Sequence, residues 1–134
     1  MKKRDIFLAT FEMDAENVEP MIPEDGVLVH TNHFLGPKTY LANDVNHLGS
    51  SYIRLQRIKA LIKQHYGTIT VEDVQKMLSD HAGFPYSICY HEDLTYPPTR
   101  RYATNFSIIM DLTGNCLYIA AGNPCENEYE KYHI

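Results

Sequence analysis

Histidine and cysteine are the side chains that most readily bind metals, move protons or attack carbonyls, and this chain carries seven of the first and three of the second. His30 and His33 are separated by two residues, while His81 and His91 lie further on with Cys89 between them. His30 and His33 stand at the end of an expected strand, where successive side chains point to opposite faces, so the two would not meet at one ion without a turn between them. No His-Glu-x-x-His run is present, and that pattern is the one that places two imidazoles on one helix face. The histidines are therefore read as unconnected polar or partly buried groups, with no metal expected. Cys89 and Cys116 fall in apolar stretches, where a thiol acts as a small inert hydrophobe. Cys125 follows Gly122-Asn123-Pro124 in a loop and is the cysteine expected to be exposed. None of the three has a helix start or basic neighbour that would lower its pKa. Structural roles are expected for all of them.

Two further positions offer donors. Arg100-Arg101 lies where a loop meets a strand. A guanidinium there either stays solvated or presents its rigid fork to a carboxylate or oxyanion. Asn32 stands at a strand end, where an amide either satisfies a turn or donates to a developing oxyanion. Residue pattern alone leaves both choices open.

The elements that must position these groups follow from periodicity and punctuation. Residues 6–13 read as a strand. Pro20, Pro23 and Glu24-Asp25-Gly26 mark a turn, and residues 27–31 read as a second short strand. An irregular stretch runs from Gly36-Pro37 to about Gly49. Ser50 or Ser51 caps a helix in which Leu55, Ile58, Leu61, Ile62 and Tyr66 share one face. Gly67 stops it. Thr70, with Asp73 three residues on, opens a second helix, whose stripe is Val71, Val74, Met77 and Leu78 and whose end is set by Gly83 and Pro85. Helices over 51–66 and 71–82, joined by a few residues, predict an antiparallel pair. Residues 87–90 read as a short strand and 92–101 as a loop. Residues 104–112 and 116–121 form a hairpin across Thr113-Gly114-Asn115. The tail from Glu126 is polar. Strands, two helices and strands again give an α+β fold with an antiparallel sheet and a helix pair on one face.

At 134 residues the chain fits a single domain, 1–134. Its net charge of −5 comes with no block of like charge. A phosphate-backbone binder would show a basic face, so nucleic acid is not an expected partner. No apolar run approaches the ~20 residues that cross a bilayer, and Ile6-Phe7-Leu8-Ala9 is too short for a signal-peptide core. No membrane association and a cytoplasmic location are expected. An odd cysteine count with irregular spacing argues against a disulfide framework, and without Cys-x-x-Cys a zinc ribbon is excluded.

Five strings, taken together, carry a resemblance. They are Thr31-Asn32-His33-Phe34-Leu35; Tyr52-Ile53-Arg54-Leu55-Gln56-Arg57; Asp80-His81-Ala82-Gly83-Phe84-Pro85-Tyr86-Ser87-Ile88-Cys89; Phe106-Ser107-Ile108-Ile109-Met110-Asp111-Leu112; and Ala121-Gly122-Asn123-Pro124-Cys125. In this order they resemble the C-terminal part of the acyl-coenzyme A:6-aminopenicillanic acid acyltransferase family, also called isopenicillin N acyltransferase-like, from about Phe7 to Tyr132. The resemblance implies a portion of an N-terminal-nucleophile hydrolase with its four-layer αββα fold. It implies acyl transfer from a thioester or amide to an amine or water, through a cysteine freed by self-cleavage whose own α-amino group serves as base. Asn32 then corresponds to the asparagine that helps form the oxyanion site, and Arg101 to an arginine near the nucleophile, with Arg100 its rival. Members commonly read Ser-Ile-Cys-Arg where this chain has Ser87-Ile88-Cys89-Tyr90, which puts any contact of that arginine in question.

The resemblance also implies that the nucleophilic cysteine belongs to a region upstream of this chain. The chain alone is then expected to be inactive, to work with a separate N-terminal portion or to self-associate, and to meet a small-molecule acyl substrate. Acyl-coenzyme A is one such substrate, and no cofactor is required. The competing reading is a truncated module that folds and associates without catalysing anything. A small metal-dependent hydrolase is a third and weaker one.

Overall fold

The computed structural model describes residues 9–43 and 49–134. The contacts fall into two compact units, Met1–Tyr52 and Ile53–Ile134, and each is taken by itself. The fold is α+β, as expected, with two antiparallel sheets and two α-helices among the described residues. No described helix is long and apolar enough to cross a membrane.

In the first unit β1 (Thr10–Met13) pairs with β2 (Val18–Met21). The Asp14 carboxylate closes the connection by accepting from the backbone N–H of Glu16 at 2.8 Å and of Asn17 at 2.6 Å, an Asx-type turn. The expected first strand thus stops at Met13, and its residues 6–8 lie outside the described ones. β2 corrects the sequence reading, which gave this stretch to a turn because of Pro20. Pro20 pairs with Phe11 in a two-stranded sheet, where an edge position makes its missing N–H harmless. The strand expected over 27–31 does not form. Asp25 and Gly26 both take positive φ, 50° and 74°, and close a tight turn in which Glu24 and Val27 exchange backbone bonds. The residues after it are held by side chains instead of by a ladder.

Those side chains centre on β1 and β2. Glu12 and Glu19 face each other in the register. Glu12 is buried, and its carboxylate accepts from the N–H of Leu35 (2.6 Å) and Gly36 (2.7 Å), the Thr39 hydroxyl (2.7 Å) and His30 Nε2 (2.7 Å). Glu19 accepts from the N–H of Lys38 at 2.9 Å and of Thr39 at 3.4 Å. Two carboxylates thereby satisfy the amides of the whole 35–39 loop. Gly36 sits so close to both that a Cβ would strike them.

The second unit holds most of α1 (Gly49–Gln64) and all of α2 (Val71–Leu78). Gly67 stands between the helices at φ 81°. The box expected at α2 is present in both directions: Asp73 N–H donates to Thr70 Oγ1, and Thr70 N–H donates to Asp73 Oδ2. α2 ends at Leu78, four residues before the expected end; just beyond it the Asp80 carboxylate accepts from Arg57 at 3.0 and 2.5 Å. Of the expected helix stripe, Leu55 and Met77 are buried, Ile58, Ile62, Val74 and Leu78 are half-buried, and Tyr66 is exposed.

β3 (Phe106–Asp111) and β4 (Cys116–Ala121) make the expected hairpin, closed by Asp111 Oδ1 accepting from the N–H of Thr113 and Gly114. β5 (Glu130–His133) was not anticipated: it is exposed at all four residues and carries no alternating apolar pattern. It adds to β4 by its ladder, with Tyr129 Oη 2.6 Å from Ser107 Oγ and Lys131 over the Tyr118 ring. A charged, polar edge strand is a common way to protect a sheet edge. Residues 87–90 form no strand either. Tyr86 and Tyr90 pair with each other as an isolated bridge, and the Ser87 hydroxyl donates to the Cys89 carbonyl at 2.5 Å, so the segment folds back on itself. α2 packs against β3.

Two outcomes check this account. Met77→Ala is expected to cost about 2–5 kcal/mol and Ile62→Ala clearly less, since cavity cost follows burial; equal losses in chemical denaturation would mean the wrong helix face has been assigned. For Glu12, burial opposes ionisation, but the Thr39, Leu35, Gly36 and His30 donors outweigh it and hold the carboxyl down at about 2, against 4.5 for the free group. A depressed folded-state pKa gives stability that is complete above the unfolded value and is lost as pH falls toward the folded one. Glu12→Gln is expected to cost on the order of 2–4 kcal/mol at neutral pH and to flatten the stability loss between pH 4.5 and 2, read from denaturation midpoints across that window.

Candidate functional site

The Thr31-Asn32-His33-Phe34 segment is fixed at both ends by hydrogen bonds. Ser51, expected as a helix cap, lies instead within the first turn of α1 and is buried. Its Oγ accepts from the Asn32 N–H at 2.8 Å and lies 3.0 Å from Thr31 Oγ1 and 2.8 Å from His33 Nδ1. The Thr31 hydroxyl in turn donates to the Ser51 carbonyl at 3.1 Å. The buried His33 ring lies against Tyr52, centroids 3.8 Å apart. On the far side Asn43 brackets Phe34: Oδ1 accepts from the Phe34 N–H at 2.7 Å and Nδ2 donates to its carbonyl at 2.9 Å. Asn32 itself is exposed. Its backbone is locked while its residue faces outward, the condition a positioned donor needs. His30 and His33, expected not to share an ion, turn to separate partners, Glu12 and Ser51.

Arg101 belongs to the second unit. Its guanidinium donates to the Tyr96 carbonyl at 2.8 Å and the Leu94 carbonyl at 3.4 Å, and lies 3.8 Å from a Glu92 carboxylate oxygen. It clamps the loop that precedes it. Arg100 ends the short 3₁₀ turn Pro98–Arg100 and is exposed. Arg54, half-buried on α1, sits 6.0 Å from the centroid of the Tyr90 ring. The tyrosine that stands where an arginine was looked for thus offers a ring face to a cation already present; an arginine there would set like charges together.

The histidines and cysteines read as unconnected are not so. The fold-back of residues 86–91, the end of the α2 exit and the loop after β4 bring His81, Cys89, His91 and Cys125 together, with one ligand atom of each within 4.8 Å of all the others. His81 Nε2 and His91 Nε2 are 3.0 Å apart, and the Cys89 and Cys125 sulfurs 3.4 Å. His91 Nε2 lies 3.6 Å from Cys89 Sγ and 3.3 Å from Cys125 Sγ. Cys89 and Cys116 are buried and Cys125 exposed, as expected, and all three are free thiols. Burial, together with the neighbouring Cys89, pushes the Cys125 thiol up to about 11, so it is no ready nucleophile at neutral pH. The spacing signal was present in the sequence, since His-x7-Cys-x-His lies within eleven residues. What it lacked was the turn that folds His91 back and the distant loop that supplies Cys125.

The family model for acyl-coenzyme A:6-aminopenicillanic acid acyl-transferase matches residues 2–126. No curated protein matches the sequence. The chain belongs to the acyl-coenzyme A:6-aminopenicillanic acid acyltransferase family.

Ser51→Ala removes the acceptor shared by Asn32 and its neighbours and is expected to cost about 1–3 kcal/mol, with enhanced amide exchange over residues 31–34. Unchanged exchange there would mean that Ser51 does not hold the segment.

Proposed function

We propose that this chain supplies oxyanion-binding and substrate-wall residues to a cysteine-nucleophile acyltransferase or amidohydrolase acting on thioester or amide bonds, and that it is inactive alone. Family membership supports the acyl-transfer chemistry. The observation that carries the residue-level reading is Asn32: an exposed residue whose backbone N–H is pinned by Ser51, beside a Phe34 backbone pinned by Asn43. A donor held in place before reaction stabilises a developing oxyanion without reorganising. Arg101 is the cationic residue of this reading, and the carbonyls of its own loop hold its guanidinium. The substrate is a small acyl donor, with an acyl-coenzyme A thioester as one candidate.

The three cysteines support a nucleophile from outside the chain. Two are buried, and the third has its thiol pushed up. The second unit's sheet supports a covering layer of the kind an αββα fold provides: α2 packs on β3, while Phe106, Ile108 and Met110 on alternate positions of that strand are exposed. Such an apolar row is covered by another layer or by a second copy.

Purified chain is expected to turn over neither thioester nor amide substrates. Combined with a polypeptide that bears the family's terminal cysteine, it is expected to do so, and Asn32→Ala then lowers kcat by roughly a hundredfold or more. Turnover by the chain alone that survives replacement of all three cysteines by serine would defeat the nucleophile reading, and an unchanged kcat for Asn32→Ala would leave Asn32 a turn residue. Light scattering is expected to give a mass above the monomer, reduced by Met110→Glu; a monomeric wild type would remove the argument from the exposed sheet face.

A further inference from the structure

We infer that His81, Cys89, His91 and Cys125 form a structural zinc site. The four atoms are a mixed set of two sulfurs and two imidazole nitrogens, the donor class that selects a tetrahedral zinc ion. The distances fit. With Zn–S of about 2.3 Å and Zn–N of about 2.0–2.1 Å, a regular tetrahedron has edges of about 3.8 Å between sulfurs, 3.5–3.6 Å between sulfur and nitrogen, and 3.3–3.4 Å between nitrogens. The corresponding contacts are 3.4 Å between the sulfurs, 3.6 and 3.3 Å from the sulfurs to His91, and 3.0 Å between the two imidazoles. Each of these four edges lies within about half an ångström of a zinc tetrahedron, and the remaining two, from His81 to the sulfurs, fall within the 4.8 Å that encloses the cluster; a small adjustment of the ligands admits the ion.

The surroundings match a metal site in three respects. The backbone of the ligand segment is fixed before any ion arrives: Cys89 N–H donates to the Asp80 carbonyl at 3.0 Å and His91 N–H to the Pro85 carbonyl at 2.9 Å. Outer partners face the ligands, as metal sites require. Glu126 lies 3.9 Å from His91 Nδ1, the ring nitrogen left free when Nε2 binds, and Asn123 Nδ2 points at Cys89 Sγ from 3.7 Å while also donating to the Tyr90 carbonyl. Finally, His81 and Cys125 are exposed, which gives the ion a path from solvent.

Binding is a plain exchange. Zn²⁺ takes a lone pair from each of two thiolates and two neutral imidazoles, the two thiol protons leave to solvent, and no electron moves. The resulting site is neutral. All four positions are filled by protein, so the ion is structural and leaves no place for a substrate or an activated water. It would tie the α2 exit, the 86–91 fold-back and the loop after β4 in a unit whose buried apolar side chains, among the described residues, are Leu55, Met77, Cys89, Ile109, Cys116 and Ala120. A core that small gains much from a staple.

The full chain, expressed with zinc and purified under reductant, is expected to hold one zinc per chain by elemental analysis. Cobalt(II) in its place is expected to show the intense visible bands of a tetrahedral ion and thiolate-to-cobalt charge transfer. Cys125→Ser and His81→Ala, both at exposed positions, are expected to lower the zinc content at least tenfold, while Cys116→Ser keeps it. Chelation is expected to lower the melting temperature of the wild type by about 10 °C and to leave that of Cys125→Ser unmoved. Reduced wild type that takes up neither zinc nor cobalt overturns the inference. So does a cobalt spectrum without charge transfer, or a Cys89–Cys125 disulfide that binds no metal after reduction. None of these readouts depends on acyl transfer, so failure here leaves that proposal untouched, and the reverse also holds.

Discussion

A buried carboxylate must have donors, and the first unit is organised by that requirement at Glu12. A charge removed from water and left without hydrogen bonds costs several kcal/mol. Four donors converge on this one, from Leu35, Gly36, Thr39 and His30. They do so only if β1 keeps the register that turns Glu12 inward, because a slip of one residue would send Phe11 or Met13 there instead. Glu19, opposite in the ladder, takes the remaining amides of the same loop. Gly36 is the residue that permits both approaches, since a side chain would occupy the space of the carboxylate oxygens. The consequence travels along the chain. With 35–39 bound to the strands, the residues just before it enter from a fixed direction; Ser51 then holds the Asn32 N–H and Asn43 the Phe34 backbone. The exposure of one candidate oxyanion donor thus rests on a buried charge twenty residues earlier.

Asp80 plays the corresponding part in the second unit. Arg57 holds its carboxyl below the usual carboxylate range through a two-point contact, the geometry in which a guanidinium binds most firmly. The same residue follows the end of α2 and offers its carbonyl to Cys89. Arg57 and Asp80 lie in two different strings of those that resemble the family. Asn123, in a third, ties the loop after β4 to Tyr90. The strings within this unit therefore hold one another, which gives a physical reason for their having to occur together: Asp80 without Arg57 is a partly buried charge that lacks its partner.

How much could be read from the residues alone depended on whether the cause was local. The Thr70–Asp73 box, the left-handed Gly67 and the hairpin at Thr113-Gly114-Asn115 are set by neighbours in sequence, and each was legible. β5 was not, because its four exposed residues show no apolar alternation and only the neighbouring β4 ladder makes them a strand. β2 was hidden by Pro20, whose cost vanishes at a sheet edge. Residues 27–31 have the composition of a strand but find their partners in side chains. At the site the pattern repeats. Asn32 and Arg101 were reached through resemblance, whereas Glu12 was given no role and Ser51 only that of a helix cap. A glutamate in an alternating strand and a serine near a helix start have ordinary readings, and only contacts eighteen or more residues away set these two apart.

The cysteines link the two readings of the molecule. A thiol serves as an acyl-accepting nucleophile only as an accessible thiolate with a base at hand. Cys116 has His133 Nδ1 3.5 Å from its sulfur, as well as the Gly114 carbonyl, but it is buried and so lacks access to a substrate. Cys89 is buried among His91, Cys125 and Asn123. Cys125 is the accessible one, and it points into the same cluster. If the cluster holds zinc, both of its sulfurs are bound and cannot attack; without the ion, desolvation of the Cys125 sulfur inside the cluster and the adjacent Cys89 push that thiol up. Either condition removes the chain's own sulfur from acyl transfer. A stapled fold and a nucleophile brought from elsewhere are therefore compatible: an ion held by the cluster would brace the scaffold and keep two of its thiols out of the chemistry at once.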